Sequence, residues 1–280
     1  MTSDLAAPSF AAAVAPTSYS GDRAIAAIPP GWSQGRATFG GLVLAQALAA
    51  ARRTLPEARP CRAIVAAFPA PVGVGEVELR LRALRHGRAV SSVQVELHQV
   101  GERAGEMGGE VGCVALATFG GPRPSAIAVP PPPRPSLPPP DEVPPMLPRS
   151  GGQAPEFTRF FDYRIGFGAP PYAGADVREI GGWCRFRDEP GPLGEEHVLG
   201  LLDAWPSPAV SRLRTPAPAA SMTWALELLT MEPEPDSAGW WLYHAELEAA
   251  RDGYAHAAAR LWSPAGHLAA LSRQAVAVFG

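Results

Sequence analysis

Apolar residues crowd every side of one predicted helix and alternate along eight predicted strands. Between Gly40 and Arg53 the residues Leu42, Val43, Leu44, Ala45, Ala47, Leu48 and Ala49 leave no polar face, so this helix cannot lie on a surface and needs an enclosing structure. Strand-like runs follow at Ala63 to Phe68, Val77 to Leu84, Ala89 to His98 and Val111 to Phe119. Their period-two alternation, clearest in Glu76-Val77-Glu78-Leu79-Arg80-Leu81, predicts antiparallel strands with one buried face. The second half repeats the order: a helix from Glu195 to Leu202 and a few residues beyond, then Ala220 to Leu229, Trp240 to Ala249, Ala255 to Trp262 and Leu268 to Phe279. The hairpin Arg85-His86-Gly87-Arg88-Ala89 returns as Arg251-Asp252-Gly253-Tyr254-Ala255, offset by 166 residues, and Ala117-Thr118-Phe119-Gly120 returns as Ala277-Val278-Phe279-Gly280, offset by 160. The chain reads as an internal duplication.

Proline divides the halves. From Pro122 to Pro148, 13 of 27 residues are proline, which predicts an extended, semi-rigid spacer without helix or strand. This gives an N-terminal unit at 1–121, a linker at 122–150 and a C-terminal unit at 151–280. Met1 to Ser20 is Ala-rich with Asp4 and no cationic stretch, which reads as a loose leader and not a secretory signal. Phe39 to Ala51, the longest apolar stretch, is too short for a bilayer helix, so a soluble protein is expected, and three scattered cysteines fit a reducing, cytoplasmic setting.

Composition removes several chemistries. All 24 basic residues are Arg, so Schiff-base, pyridoxal and P-loop lysines are absent, and there is no Asn. A net charge of -3 argues against nucleic acid or an anionic membrane as partner. Cys61, Cys113 and Cys184 are too scattered for a disulfide framework or a metal pair. The six histidines lack paired ligand spacings, so no metal is expected. Gly31-Trp32-Ser33-Gln34-Gly35 has the form of a nucleophile elbow, but the preceding Ala27-Ile28-Pro29-Pro30 is a poor strand end and no alternation of strands and helices follows. The cluster Trp240-Trp241-Leu242-Tyr243 reads as strand core.

A curved antiparallel sheet around a buried helix describes a hot-dog unit. Phe39-Gly40-Gly41 with Gln46-Ala47-Leu48, Gly87-Arg88, Leu202-Asp203, Ser221-Met222-Thr223 and Ala270-Leu271-Ser272-Arg273-Gln274 together resemble type II acyl-CoA thioesterases. The resemblance covers about residues 30 to 120 and 180 to 280, and its specificity lies in the order and spacing of short motifs. It implies an α+β double hot-dog, with two antiparallel sheets each wrapped around a central helix and joined into one extended sheet. It further implies hydrolysis of acyl-CoA thioesters without a cofactor, and a site in which Asp203, a hydroxyl and Gln274 position a water. The strand register points to Ser221 for the hydroxyl. Thr223, two residues on, is expected on the same strand face and stands as the alternative. Gly40, Gly41 and Gln46 are candidates for shaping the ligand cleft, although helix packing also explains the glycines.

That chemistry suits the residues. A thioester is electrophilic and its thiolate leaves readily, so a water activated by a carboxylate suffices without a covalent intermediate, and Ser221 and Gln274 could hold its orientation. Two other functions fit the same architecture. A hydratase or dehydratase acting on acyl thioesters needs a histidine near the Asp, which Asp203-Ala204-Trp205-Pro206-Ser207-Pro208 lacks. A non-catalytic acyl-CoA-binding protein would keep the tunnel alone. Exposed sheet edges predict a homodimer or larger assembly.

Overall fold

The computed structural model describes residues 8–101, 110–146, 154–229 and 238–280. Its elements in chain order are α1 (Phe10–Val14), β1 (Ser18–Ser20), β2 (Arg23–Ile28), β3 (Ser33–Gln34), β4 (Ala37–Thr38), α2 (Gly40–Arg52), β5 (Cys61–Ala67), β6 (Gly75–His86), β7 (Val90–Gln99) and β8 (Val111–Gly120). A 3-10 turn at Glu156–Phe160 then leads to β9 (Phe161–Gly168), β10 (Glu179–Phe186), α3 (Glu195–Asp203), α4 (Pro208–Arg212), β11 (Ala219–Leu228), β12 (Trp241–Arg251), β13 (Tyr254–Trp262) and β14 (Leu268–Val278).

Twelve strands form one antiparallel sheet in the order β1-β2-β6-β7-β8-β5-β11-β14-β13-β12-β10-β9. The duplication is visible in that order. Read inward from either end, β2-β6-β7-β8-β5 and β10-β12-β13-β14-β11 have the same connectivity. The halves meet where β5 pairs with β11, with Ala66 opposite Trp224 and Ile64 opposite Leu226.

The apolar helix is enclosed as its pattern requires. Only Gly40, Ala49 and Arg52 of α2 escape full burial, because the helix packs on β6, β7 and β8 and directly on α3, which in turn lies against β10, β13 and β14. The two helices run antiparallel. Arg52 at the end of α2 pairs with Glu195 at 2.6 Å and Glu196 at 3.1 Å at the start of α3, an arrangement that complements both helix dipoles. At the opposite end the start of α2 meets Asp203, the last residue of α3.

The proline-rich segment is extended, as predicted, and it covers the outer face of the second half. Trp183 Nε1 donates to the Pro138 carbonyl at 2.9 Å and Trp262 Nε1 to that of Pro132 at 3.4 Å. Val143 and Leu137 pack there with Leu242 and Leu268. An isolated bridge pairs Pro145 with Arg164, and residues 147–150 of the expected linker lie outside the described residues.

Part of the expected leader is core, which corrects the reading of Met1 to Ser20. Phe10 is fully buried, edge-on to Trp32 at 5.4 Å and against Phe186 at 5.1 Å. Its amide and that of Ala11 donate to the Glu189 carboxylate at 2.8 and 2.7 Å, which satisfies the otherwise open start of a short helix. One aromatic side chain in an Ala-rich stretch gives little periodicity, so the anchor was not legible from pattern. A Phe10→Ala protein is therefore expected to lose about 3–5 kcal/mol of unfolding free energy. Equilibrium urea denaturation measures this, and a loss below about 1 kcal/mol would mean that the segment is peripheral.

Candidate functional site

Three of the candidate side chains converge. Gln274 Nε2 donates to Asp203 Oδ1 at 3.1 Å and to Ser221 Oγ at 3.0 Å. The second carboxylate oxygen, Oδ2, accepts the Gly41 amide at 2.7 Å. Four separate segments thus meet at one carboxyl group: the end of α3, the start of α2, β11 and β14.

Each contact has a local cause. Gln274 and Ser221 share a sheet face because β14 and β11 are neighbours in register, with Ser221 opposite Val276 and Trp224 opposite Gln274. Gly40 and Gly41 are needed for close approach. A Cβ on Gly40 would stand 2.9 Å from Asp203 Oδ2, and one on Gly41 would stand 2.7 Å from the Phe39 ring and 3.1 Å from Asp203 Cβ. Any larger residue pushes the helix off the carboxyl group.

Thr223 is not part of this cluster. A β-bulge at Met222 makes the register jump from Ser221 opposite Val276 to Thr223 opposite Ala275, so the two hydroxyl residues face opposite sides of the sheet. Thr223 is exposed with Glu227, while Trp224, Leu226 and Leu228 are buried. The expectation of a shared face assumed unbroken alternation, and nothing in Ser221-Met222-Thr223 announces the extra residue.

Gln46 also lies elsewhere. Its Nε2 donates to the Ala13 carbonyl at 2.8 Å and the Ala27 carbonyl at 3.0 Å. It therefore ties α2 to α1 and β2, away from Asp203. The structure adds residues near Asp203 that the sequence did not assign to the site, among them Tyr243, which reads from sequence as strand core. Tyr163 donates its hydroxyl to the Ala204 carbonyl at 3.0 Å, and Trp205 lies edge-on to Tyr163 at 5.4 Å and parallel to Tyr243 at 5.6 Å. The position of Trp205 two residues past Asp203 is the one signal that could have flagged this wall.

Burial is the main influence on Asp203, pushing its carboxyl up from 3.8 to about 7, against the opposing effects of the Gly41 amide and Gln274. Its place at the negative end of its own helix acts in the same direction as burial. Asp203 as a residue is half-buried. Such a carboxyl is poised between its two forms near neutrality, as a general base requires. The donors to this carboxylate are the Gly41 amide and Gln274, neither of them a histidine. Among the described residues no group of three or more His, Cys, Asp or Glu side chains is placed to hold a metal, and no described helix is long and apolar enough to cross a membrane.

Comparison with known proteins identifies the lineage. The acyl-CoA thioesterase N-terminal domain model matches residues 28–120, and the acyl-CoA thioesterase C-terminal domain model matches residues 140–278. The chain belongs to the acyl-CoA thioesterase family. It is a thioester hydrolase by that membership. No curated protein matches this thioesterase at a comparable level. Among solved structures, a conserved hot-dog-fold protein of unknown function from Alicyclobacillus acidocaldarius is 23% identical with a TM-score of 0.81, over 97% of this chain and 98% of that one. A putative thioesterase II from Thermobifida fusca YX is 21% identical with a TM-score of 0.78, over 97% of each chain. The TesB protein of Mycobacterium avium subs paratuberculosis is 18% identical with a TM-score of 0.76, over 97% of this chain and 98% of that one. These likenesses show a hot-dog fold for the thioesterase.

The raised carboxyl has a stability consequence. Because the folded-state value lies above the unfolded one, ionising Asp203 costs stability progressively as pH rises from about 4 to 7, and nothing below that window. The Asp203→Asn protein lacks this cost. Its melting temperature, measured against the unmodified thioesterase by calorimetry, is expected to gain on it from about pH 4 to about pH 7 and to keep a constant lead above that. A difference that stays flat or reverses over that range contradicts a buried, raised carboxyl.

Proposed function

We propose that Asp203, Ser221 and Gln274 form the catalytic centre of this thioesterase and hydrolyse acyl-CoA thioesters to a free acid and CoA through a held water. The observation that carries the proposal is the double donation from Gln274 Nε2 to Asp203 Oδ1 and Ser221 Oγ. With both amide hydrogens engaged, Gln274 Oε1 is left as an acceptor. A water donating one hydrogen to Asp203 and the other to that oxygen turns a lone pair toward the thioester carbon.

As the carbon–oxygen bond forms, Asp203 takes the water's proton. The tetrahedral oxyanion then collapses, the carbon–sulfur bond breaks, and the proton passes from Asp203 to the departing thiolate. The oxyanion needs donors. The Gly40 amide, first of α2, has no carbonyl a turn before it within the helix, and the Ser221 hydroxyl still has its hydrogen to give. The Gly40 amide lies at the positive end of the α2 dipole, which favours the developing charge.

The architecture we propose to support this is a double hot-dog, with α2 and α3 as the central helices of units at 1–121 and 151–280. The burial of α2 between sheet and α3 and the matched strand order of the two halves support it. The placement of Asp203 on one unit against Gly41 of the other makes the site a product of the fusion. That the Asp203 carboxylate is held by the Gly41 amide and Gln274 does not favour the hydratase alternative, which needs a histidine beside the Asp.

Thiol release from a series of acyl-CoAs tests the proposal. Asp203→Ala and Gln274→Ala are expected to lower kcat/KM by roughly 10²-fold or more, with Ser221→Ala also impaired and Thr223→Ala close to unmodified. The rate should climb about tenfold per pH unit below about 7 and level off above it, because only the ionised carboxylate acts as base. An Asp203→Ala protein that keeps more than about a tenth of the rate would overturn the assignment.

A further inference from the structure

Helix α3 ends without the glycine turn that closes many helices. Asp203 is its last residue and Ala204 its C-cap, and the final carbonyls of a helix have no partner inside it. A residue in the left-handed conformation commonly returns amides to them, but Trp205 follows the cap and its backbone is not left-handed. Pro206 then brings no amide at all. The end is closed from the sheet instead, by the Tyr163 hydroxyl, which donates to the Ala204 carbonyl at 3.0 Å. Tyr163 is 5% exposed and Ala204 2%, so bulk water is a poor substitute for that hydroxyl.

Tyr163 is itself held on both sides. It lies on β9, the last strand of the sheet, opposite Cys184 of β10. On the other edge of β9 the proline-rich segment takes the place of a further strand, with the Met146 amide donating to the Tyr163 carbonyl at 3.1 Å. The Tyr163 ring also forms one side of a bracket around Trp205, which stands edge-on to it at 5.4 Å and parallel to Tyr243 of β12 at 5.6 Å. The two residues that follow Asp203 are thus fixed to β9 and β12, one by a hydrogen bond and one by ring packing.

We infer that Tyr163 is a positioning residue for Asp203, closing the end of α3 from β9 so that the carboxyl group keeps its place between the Gly41 amide and Gln274. Its one hydroxyl hydrogen is given to the main chain, so it acts through Ala204. A shift of that next residue would turn the Asp203 side chain out of contacts of 2.7 and 3.1 Å, which weaken steeply with misalignment. Electrostatics act in the same direction, because a hydroxyl hydrogen on the last carbonyls offsets the negative end of α3 beside the carboxylate. Around that carboxylate, Tyr163 of β9 and Tyr243 of β12 feel its charge, and burial pushes both phenols up, as it does the Cys184 thiol of β10. Arg187 adds a fixed positive charge on the Tyr163 side. From α2 and β14 come the Gly41 amide and Gln274, which do not titrate. The inference rests on the hydrolytic reading given above and adds to it a residue from outside the reacting trio.

The test measures kcat, KM and the midpoint of the pH–rate profile for full-length Tyr163→Phe, which keeps the ring and removes the hydroxyl, with an acyl-CoA that the unmodified protein hydrolyses. The expected result is a kcat lowered about tenfold and a KM within about twofold of the unmodified value. The midpoint should move above about 7, because the carboxylate loses support from its donors and gains an uncompensated helix end. Trp205→Phe, which keeps a ring but narrows the bracket, should change kcat and midpoint in the same direction and provides the reading if Tyr163→Phe does not fold. A folded variant with a lower melting temperature but unchanged kcat and midpoint shows a merely structural tyrosine and overturns the inference. A raised KM at unchanged kcat also overturns it, since that marks a contact with substrate. Asp203→Ala, assayed alongside, separates the two readings. If it loses activity while Tyr163→Phe does not, positioning alone falls, and if it keeps more than about a tenth of the rate, the hydrolytic reading falls and takes the inference with it.

Discussion

A hydrogen bond between the first turn of one helix and the last residue of another organises this molecule. The Gly41 amide reaches Asp203 Oδ2 at 2.7 Å, and that distance is possible only because neither Gly40 nor Gly41 has a side chain to intervene. The carboxyl group feels two opposing helix ends. Its own helix presents negative carbonyls, while α2 presents a positive amide terminus. At the far end of the same helix pair the charges simply agree, with Arg52 beside Glu195 and Glu196. The fold therefore contains one electrostatically comfortable junction and one tense junction, and the tense one holds the candidate chemistry.

The duplicated sheet explains how such a junction arises. Each half contributes a helix and matching strands, and pairing of β5 with β11 fixes the halves side by side. Two connections outside the repeat reinforce the arrangement. The N-terminal α1 inserts Phe10 against Phe186 and Gly200 of the second half, and the proline-rich segment lies along Trp183 and Trp262 on its outer face. Both devices stiffen the platform on which Ser221 and Gln274 are displayed.

Much of this was legible because it depends on period and repetition. The apolar run in α2 demanded enclosure, the paired hairpins at Arg85 and Arg251 announced the duplication, and the proline density announced an extended strap. What escaped depends on single contacts. Phe10 is one aromatic residue in an alanine-rich stretch, β2 is a short Ala-Ile strand, and β10 is interrupted by Gly181 and Gly182 at a bulge. The Met222 bulge moved Thr223 to the opposite face without any compositional trace. At the candidate site, Asp203, Ser221 and Gln274 could be named from motif order. Their mutual distances and the role of the two glycines come from packing between segments far apart in the chain.

The central claim is that a confined carboxyl group at a helix junction titrates near neutrality. Carbon-13 NMR of aspartate-labelled protein, with the Asp203→Asn variant to assign the resonance, measures this directly. The account predicts a midpoint near 7, moving higher in Gln274→Ala because a donor that favours the charged form is lost. A midpoint at about 4, the ordinary carboxylate range, would contradict it.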